Sequence, residues 1–274
     1  MLDTAAIVAE IRAFMEAAGA YGLTQQAKAE HHYKPDNSII TDADLGISAM
    51  FKEHFAKYLA QPGHILIDEE TPNPTPAEAA KTEYQWVLDP IDGTASYAGG
   101  APFWGIIIGV MRKGEPWLAA TYIPALKLYF WADEQAAYEE TDAFTPAAKT
   151  RKLGPVNRAI NHQTQFTAHS FQVKQVFTSD RAFIFLDLWG PMMGASAAAG
   201  YVAGNIVRAS LWDFIASWTL ALRIGHEFIN LQTGQGATHL SHLNFTDKWQ
   251  NTHFMFAGNR AIFDQLKPHF KEAA

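Results

Sequence analysis

Two carboxylates three positions apart, followed at once by glycine and threonine, form the most chemically loaded stretch of the chain: Trp86-Val87-Leu88-Asp89-Pro90-Ile91-Asp92-Gly93-Thr94. Such acids repel a phosphate but attract hard divalent cations, which take oxygen ligands and bridge carboxylate to anion. Gly93-Thr94 can open a helix, where free N–H groups favour negative charge. Acids and amides together point to metal and phosphate. Val87 and Leu88 predict a buried strand, and Pro90, lacking an N–H, is expected to end its ladder. Both acids then sit at a strand end and can point into one pocket.

Other stretches could serve the same chemistry, and each has a plainer role of its own. Thr41-Asp42-Ala43-Asp44 has the spacing of a capping box and would start a helix. Asp68-Glu69-Glu70-Thr71 follows a short apolar run, and three adjacent acids are commonly a solvated patch. Trp212-Asp213 opens an apolar helix, where the dipole favours an acid. Gly194-Ala195-Ser196-Ala197 fits close helix packing, and it lacks the pattern of a hydrolase nucleophile elbow. His239 and His242 are loosely spaced in a loop and motivate no third nitrogen ligand.

Taken in order, and with Ala257-Gly258-Asn259 near the C-terminal end, Asp-Pro-Ile-Asp-Gly-Thr and these stretches resemble the inositol monophosphatase family of Mg-dependent, lithium-sensitive phosphatases. The resemblance implies an αβαβα sandwich and two or three Mg2+ ions. Glu69, Asp89 and the Ile91 carbonyl would hold the first ion, and Asp89, Asp92 and Asp213 the second. It further implies that Asp44 polarises the Thr94 hydroxyl and that Glu70 assists at the attacking water. Gly93 and Thr94 would grip the phosphate, and the turn at Gly194, Ala195 and Ser196 would face the substrate. A homodimer is the family's usual assembly. The implied activity is hydrolysis of a small phosphorylated metabolite. Histidinol-phosphate, fructose-bisphosphate and 3′(2′),5′-bisphosphate nucleotide phosphatases share the pattern, and a catalytically inactive metal-binding interaction module is the reading of another class.

The chain departs from the family's pattern at four places. Asp68 stands where a glycine is usual, and Ala95 follows Thr94 where an asparagine is common. The segment before Trp212 is shortened, with Val207, Arg208 and Ser210 where a substrate-facing acid is expected. Arg223-Ile224-Gly225-His226 replaces Glu-Ala-Gly-Gly. Arg208 points to an anionic or otherwise different substrate, or else is a solvated surface charge.

The elements that must position these groups are legible as periodicities. Residues 3–29 read as a helix capped by Asp3 or Thr4, with Ile7, Ile11, Phe14, Met15 and Ala18 on one face. Residues 31–38 read as a loop or ragged hairpin, and a helix runs from Thr41 to just before Pro62. Strands are expected at 64–67, 104–110, 117–123 and 128–131, the last three as an antiparallel meander. Residues 71–83 read as a surface connection. Strands at 181–188, 228–231 and 253–256 alternate with helices at 194–203, 211–225 and 261–270, an α/β pattern. The polar stretch 141–152 marks a boundary between an N-terminal half, 1–147, and a C-terminal half, 148–274.

Composition narrows the function class. The 274 residues are 48% hydrophobic and 18% charged, ordinary for a folded enzyme. With no cysteine there is no disulfide framework or thiolate nucleophile, which fits a reducing cytoplasm. A net charge of −7 argues against a nucleic-acid face. The first residues lack a signal-like segment, and no apolar run approaches the roughly 20 residues that span a bilayer. A soluble protein without a membrane partner is expected.

Overall fold

Asp3 accepts hydrogen bonds from the amides of Ala5 and Ala6 at 3.0 and 3.2 Å and starts helix α1 (Thr4–Gln26), the N-cap role expected of an aspartate there. The computed structural model describes residues 2–28, 31–34, 38–178, 183–188 and 190–271. The five predicted apolar residues of α1 are all buried against the sheet below. A hairpin of β1 (His31–Tyr33) and β2 (Ile39–Thr41) leads into α2 (Asp42–His54). The helix does not run unbroken toward Pro62. It breaks at Phe55, whose ring turns into a cluster with Phe14, Phe51 and Trp86, and resumes as α3 (Ala56–Leu59).

Next come β3 (His64–Asp68), α4 (Pro76–Ala79), β4 (Tyr84–Asp92), α5 (Thr94–Ala98), β5 (Gly105–Arg112), β6 (Glu115–Ile123), β7 (Leu128–Ala132), β8 (Ala137–Thr141) and β9 (Lys149–Lys152). The surface connection expected at 71–83 thus carries one short helix, α4. These strands form a seven-stranded sheet in chain order. Only β3 and β4 run parallel, so their C-terminal ends lie side by side.

Pro90 does not end β4. The strand continues to Asp92, and the register slips by one residue between the pairs Asp89 with Ile107 and Asp92 with Gly105. A bulge accepts a residue with no N–H to give. It also reverses the alternation: Trp86, Leu88 and Ile91 all pack toward α1 and α2, while Val87 faces the other core. Acids three apart on a regular strand point to opposite faces. Because of the extra residue, Asp92 comes round to the side of Asp89.

The remainder contains β10 (Gln165–Thr167), α6 (Ser170–Val176), β11 (Ile184–Leu186), α7 (Met192–Ala199), β12 (Gly204–Val207), α8 (Leu211–Arg223), β13 (Glu227–Asn230), β14 (Met255–Gly258) and α9 (Arg260–Leu266). Its five-stranded sheet has the order β11-β10-β12-β14-β13. The buried strand expected at 181–188 is a short, half-buried edge strand, β11; residues 181 and 182 lie outside the described residues. An edge strand has a partner on one side only, so apolar composition alone overstated its burial.

Helix α8 packs Phe214, Ile215 and Trp218 in one core with Val87, Ile107 and Met111 of the large sheet and Phe228, Met255 and Ala257 of the small one. On the far face of the small sheet, α6 and α9 bury Val173, Val176, Ile262 and Leu266 against Phe166, Ile206 and Phe256. The layers are therefore α1 and α2, the large sheet, α7 and α8, the small sheet, then α6 and α9: an αβαβα sandwich. Among the described residues no helix is long and apolar enough to cross a membrane.

Candidate metal and phosphate site

The parallel pairing of β3 and β4 sets Glu69 beside Asp89. The Glu69 amide donates to the Leu88 carbonyl at 3.2 Å, so the acidic turn is stitched to the strand that carries the second acid. From above, α8 delivers Asp213. Ligand oxygens of Glu69, Asp89 and Asp213 lie within 4.8 Å of one another. Asp89 is 1% exposed, and neither of its carboxylate oxygens has a hydrogen-bond partner among the described residues. A buried polar atom is ordinarily paired. Two orphaned oxygens on one carboxylate, facing two further acids, fit a divalent cation held by oxygen ligands. Asp92 lines the adjoining cavity with Gly93 and Thr94.

Burial and mutual repulsion shift the carboxyls gathered here. Burial, followed by the charges of Asp213 and Glu70, pushes the Glu69 carboxyl up to about 8. Burial pushes Asp213 up to about 6 against the hydrogen bond from Ser210. Asp89 and Asp92 are raised well above the usual carboxylate range, by burial first and then by the neighbouring acids. Lys34 provides the cation that sequence reasoning did not assign to the site: its ammonium lies 2.7 Å from Glu70 Oε2 and 3.4 Å from Glu69 Oε1. Glu70, named as an assistant at the water, is thus paired to Lys34. The readable signal was a lysine in the segment ahead of the Thr41 helix.

Asp44 and Asp213 are held by the same device. Each occupies the third position of a helix and accepts the N-cap amide: Thr41 N to Asp44 Oδ2 at 2.8 Å and Ser210 N to Asp213 Oδ2 at 2.7 Å. In each case the cap uses one carboxylate oxygen and fixes the orientation of the other. Asp44 is 0% exposed. Its Oδ1 lies 3.5 Å from Thr94 Oγ1, which is also 2.9 Å from the Ile91 carbonyl. A hydroxyl has one proton and two acceptor lone pairs, so Thr94 can donate to only one of these oxygens at a time. The Ile91 carbonyl, expected to face a metal, is within reach of that hydroxyl.

The cavity holds about 520 Å³. Gly194 and Ala195 line it from within α7, whereas Ser196 is buried and does not line it. The turn nearest Asp92 and Gly93 is instead Gly190-Pro191: Gly190 has φ +61°, and a Cβ there would lie 3.0 Å from the Asp92 carbonyl. A Gly-Pro pair just ahead of a helix was the sequence signal for it. Thr121, Asn205 and His169 also line the cavity and were not singled out. Thr121 Oγ1 is buried without a hydrogen-bond partner among the described residues, and His169 Nδ1 meets Asp187 Oδ1 at 2.9 Å. Arg208 does not line it; its guanidinium lies 4.4 Å from the Phe254 ring centroid.

Fold and site together describe a layered α/β protein with a cluster of carboxylates at the strand ends of its large sheet. The inositol monophosphatase family model matches residues 2–252, and the chain belongs to that family. A histidinol-phosphatase of Streptomyces coelicolor is 27% identical over 236 residues, 74% of this chain and 77% of the relative. A histidinol-phosphatase of Mycobacterium tuberculosis is 31% identical over 41% of this chain and 42% of its own length. The chain spans about half or less of the length of several curated relatives it matches. The crystal structure of an IMPase/NADP phosphatase complexed with Mg2+ and phosphate superposes with a TM-score of 0.73 at 16% identity, covering 99% of each chain, a likeness of fold.

Proposed function

We propose that this chain is a Mg-dependent phosphomonoesterase that hydrolyses a small phosphorylated metabolite by direct attack of water. The observation that carries the reading is the pair of orphaned Asp89 oxygens among Glu69 and Asp213, opening on a cavity bordered by Asp92, Gly93 and Thr94. Residues 1–147 and 148–274 would share the site, the second half supplying Asp213. Two or three Mg2+ ions would be held by Glu69, Asp89, Asp92, Asp213 and the Ile91 carbonyl. When bound, Mg2+ neutralises phosphoryl charge, acidifies a water and steadies the departing oxygen.

The chain's own groups handle the proton. Thr94 Oγ1 would accept the proton of the attacking water as its own hydroxyl proton passes to Asp44 Oδ1, 3.5 Å away. Thr41 keeps Asp44 in place by its amide and hydroxyl bonds. The Gly93-Thr94 backbone borders the space for the phosphate, and Gly194 and Ala195 border the space for the alcohol.

Among the described residues lining the cavity there is no lysine or arginine. That favours a monophosphate ester over fructose bisphosphate or a 3′(2′),5′-bisphosphate nucleotide, whose second phosphate would want a cation. The family resemblance and the lack of cysteine support a cytoplasmic homodimer.

The deciding experiment is phosphate release by purified protein with Mg2+, then with added lithium. Its panel is inositol phosphate, histidinol phosphate, fructose bisphosphate, adenosine bisphosphate and an aryl phosphate. A Mg-dependent, lithium-sensitive turnover of one monophosphate is expected. Silence across the panel from folded, metal-binding protein would overturn the reading in favour of a non-catalytic metal-binding module.

A further inference from the structure

Asp68 stands beside the proposed metal ligands without being one of them. It is 0% exposed; two of its side-chain contacts brace the acidic turn from within and two tie that turn to α2. Its Oδ2 accepts hydrogen bonds from Ser48 Oγ and, at 3.2 Å, from Thr71 Oγ1. Lys52 Nζ lies 3.2 Å from the same oxygen. Its Oδ1 accepts the Glu70 amide at 3.1 Å. The backbone closes on the same turn: Asp68 N donates to Asn73 Oδ1 and Asn73 Nδ2 donates to the Asp68 carbonyl, both at 2.8 Å.

Ser48 and Lys52 lie on α2 four and eight residues beyond Asp44, one and two turns along the same helix face. Asp68 therefore clamps the helix that presents Asp44 to the turn that presents Glu69 and Glu70. A glycine at this position could make none of these four side-chain contacts. A buried carboxylate is tolerated only with hydrogen bonds and a counter-charge, and here Ser48, Thr71, the Glu70 amide and Lys52 supply both.

We propose that Asp68 is a positioning residue: through Ser48 and Lys52 it transmits the placement of α2 to Glu69 and Glu70, and so sets the cation affinity of the site. The inference rests on the reading of Glu69 as a metal ligand. Hydrogen-bonded partners behind a ligating carboxylate typically contribute about 10–100-fold to metal affinity or activity.

The test is direct titration of the purified full chain with Mn2+, followed by electron paramagnetic resonance, in parallel with thermal melts. The variants are Asp68→Asn, Asp68→Gly, the α2-side variant Ser48→Ala and the reference variant Glu69→Gln. Mn2+ binding is expected to weaken roughly 10–100-fold in both Asp68 variants and by less in Ser48→Ala. Excess Mg2+ should restore most of the turnover of the Asp68 variants. Should the Asp68 variants fail to fold, Ser48→Ala carries the test, because it keeps the acid and its lysine and removes only the α2 hydroxyl. Wild-type affinity in the folded variants, even with a lowered melting temperature, would overturn the proposal alone. Unchanged Mn2+ binding in Glu69→Gln, or none in the wild type, would overturn it together with the reading of the site.

Discussion

Asp89 and Asp213 bring carboxylate oxygens within 4.8 Å of each other, although one stands on a strand and the other in the first turn of a helix in the next layer. Among the described residues, none hydrogen-bonds to either carboxylate oxygen of Asp89. Replacing it by the neutral isostere, Asp89→Asn, should raise the melting temperature of the metal-free protein at pH 8 while phosphate release falls by more than the roughly 100-fold upper range for partners behind a ligand. A calorimetric scan beside an activity assay checks both. A lower melting temperature would contradict the picture of uncompensated charge.

The raised carboxyls make a signed pH prediction for the metal-free state. Glu69 goes from 4.5 in its ordinary state to about 8 in the fold, and Asp213 from 3.8 to about 6. Between those limits the folded state binds more protons than the unfolded one, so stability falls as pH rises. The contribution is whole below the ordinary carboxyl range and lost through pH 8. Thermal melts in chelator should therefore decline from pH 5 to pH 8, and saturating Mg2+ should flatten or reverse the trend.

Thr94 and Asp44 should fail in the same way if they share one proton path. Thr94→Ala and Asp44→Asn are each expected to lower kcat by about 10²–10⁴-fold, with the Mg2+ concentration for half activity little changed. Equal losses in kcat and in Mg2+ affinity would instead make Asp44 a ligand. The double variant should be no worse than the poorer single one.

Lys34 is the counter-charge of the metal-free site through Glu69 and Glu70. Lys34→Met should therefore lower the melting temperature in chelator at pH 8 and have a smaller effect in saturating Mg2+, where the cation replaces the lost ammonium. The same drop in both buffers would show that Lys34 acts only by packing.

The height of α8 above the sheet is set partly by Gly109, where an added Cβ would come within 2.2 Å of Ile215 Cγ1. Gly109→Ala must push the helix outward and should cost about 1–3 kcal/mol of stability. Because Asp213 sits two residues before Ile215 on that helix, Mn2+ affinity should fall as well. Urea denaturation and metal titration of the same preparation separate the two effects.

The local devices are legible in short stretches of sequence. The Asp89-to-Thr94 motif, the capping spacings at Asp44 and Asp213, the apolar face of α1 and the alternation of strand and helix are all short-range patterns, carried by one segment and its backbone preferences. The family and the layered fold followed from their order. Where those devices point depends on how the layers assemble. Pro90 was expected to end its strand. Only pairing with β5 converts it into a bulge that turns Asp92 to the side of Asp89. The small-residue run at Gly194 lies inside a helix, and Gly190 takes the place beside Asp92 because its positive φ and lack of a Cβ let two backbones touch. Lys34, Asp68 and Thr121 acquired their surroundings from segments remote in sequence, and burial and charge pairing belong to the assembled layers rather than to any one segment.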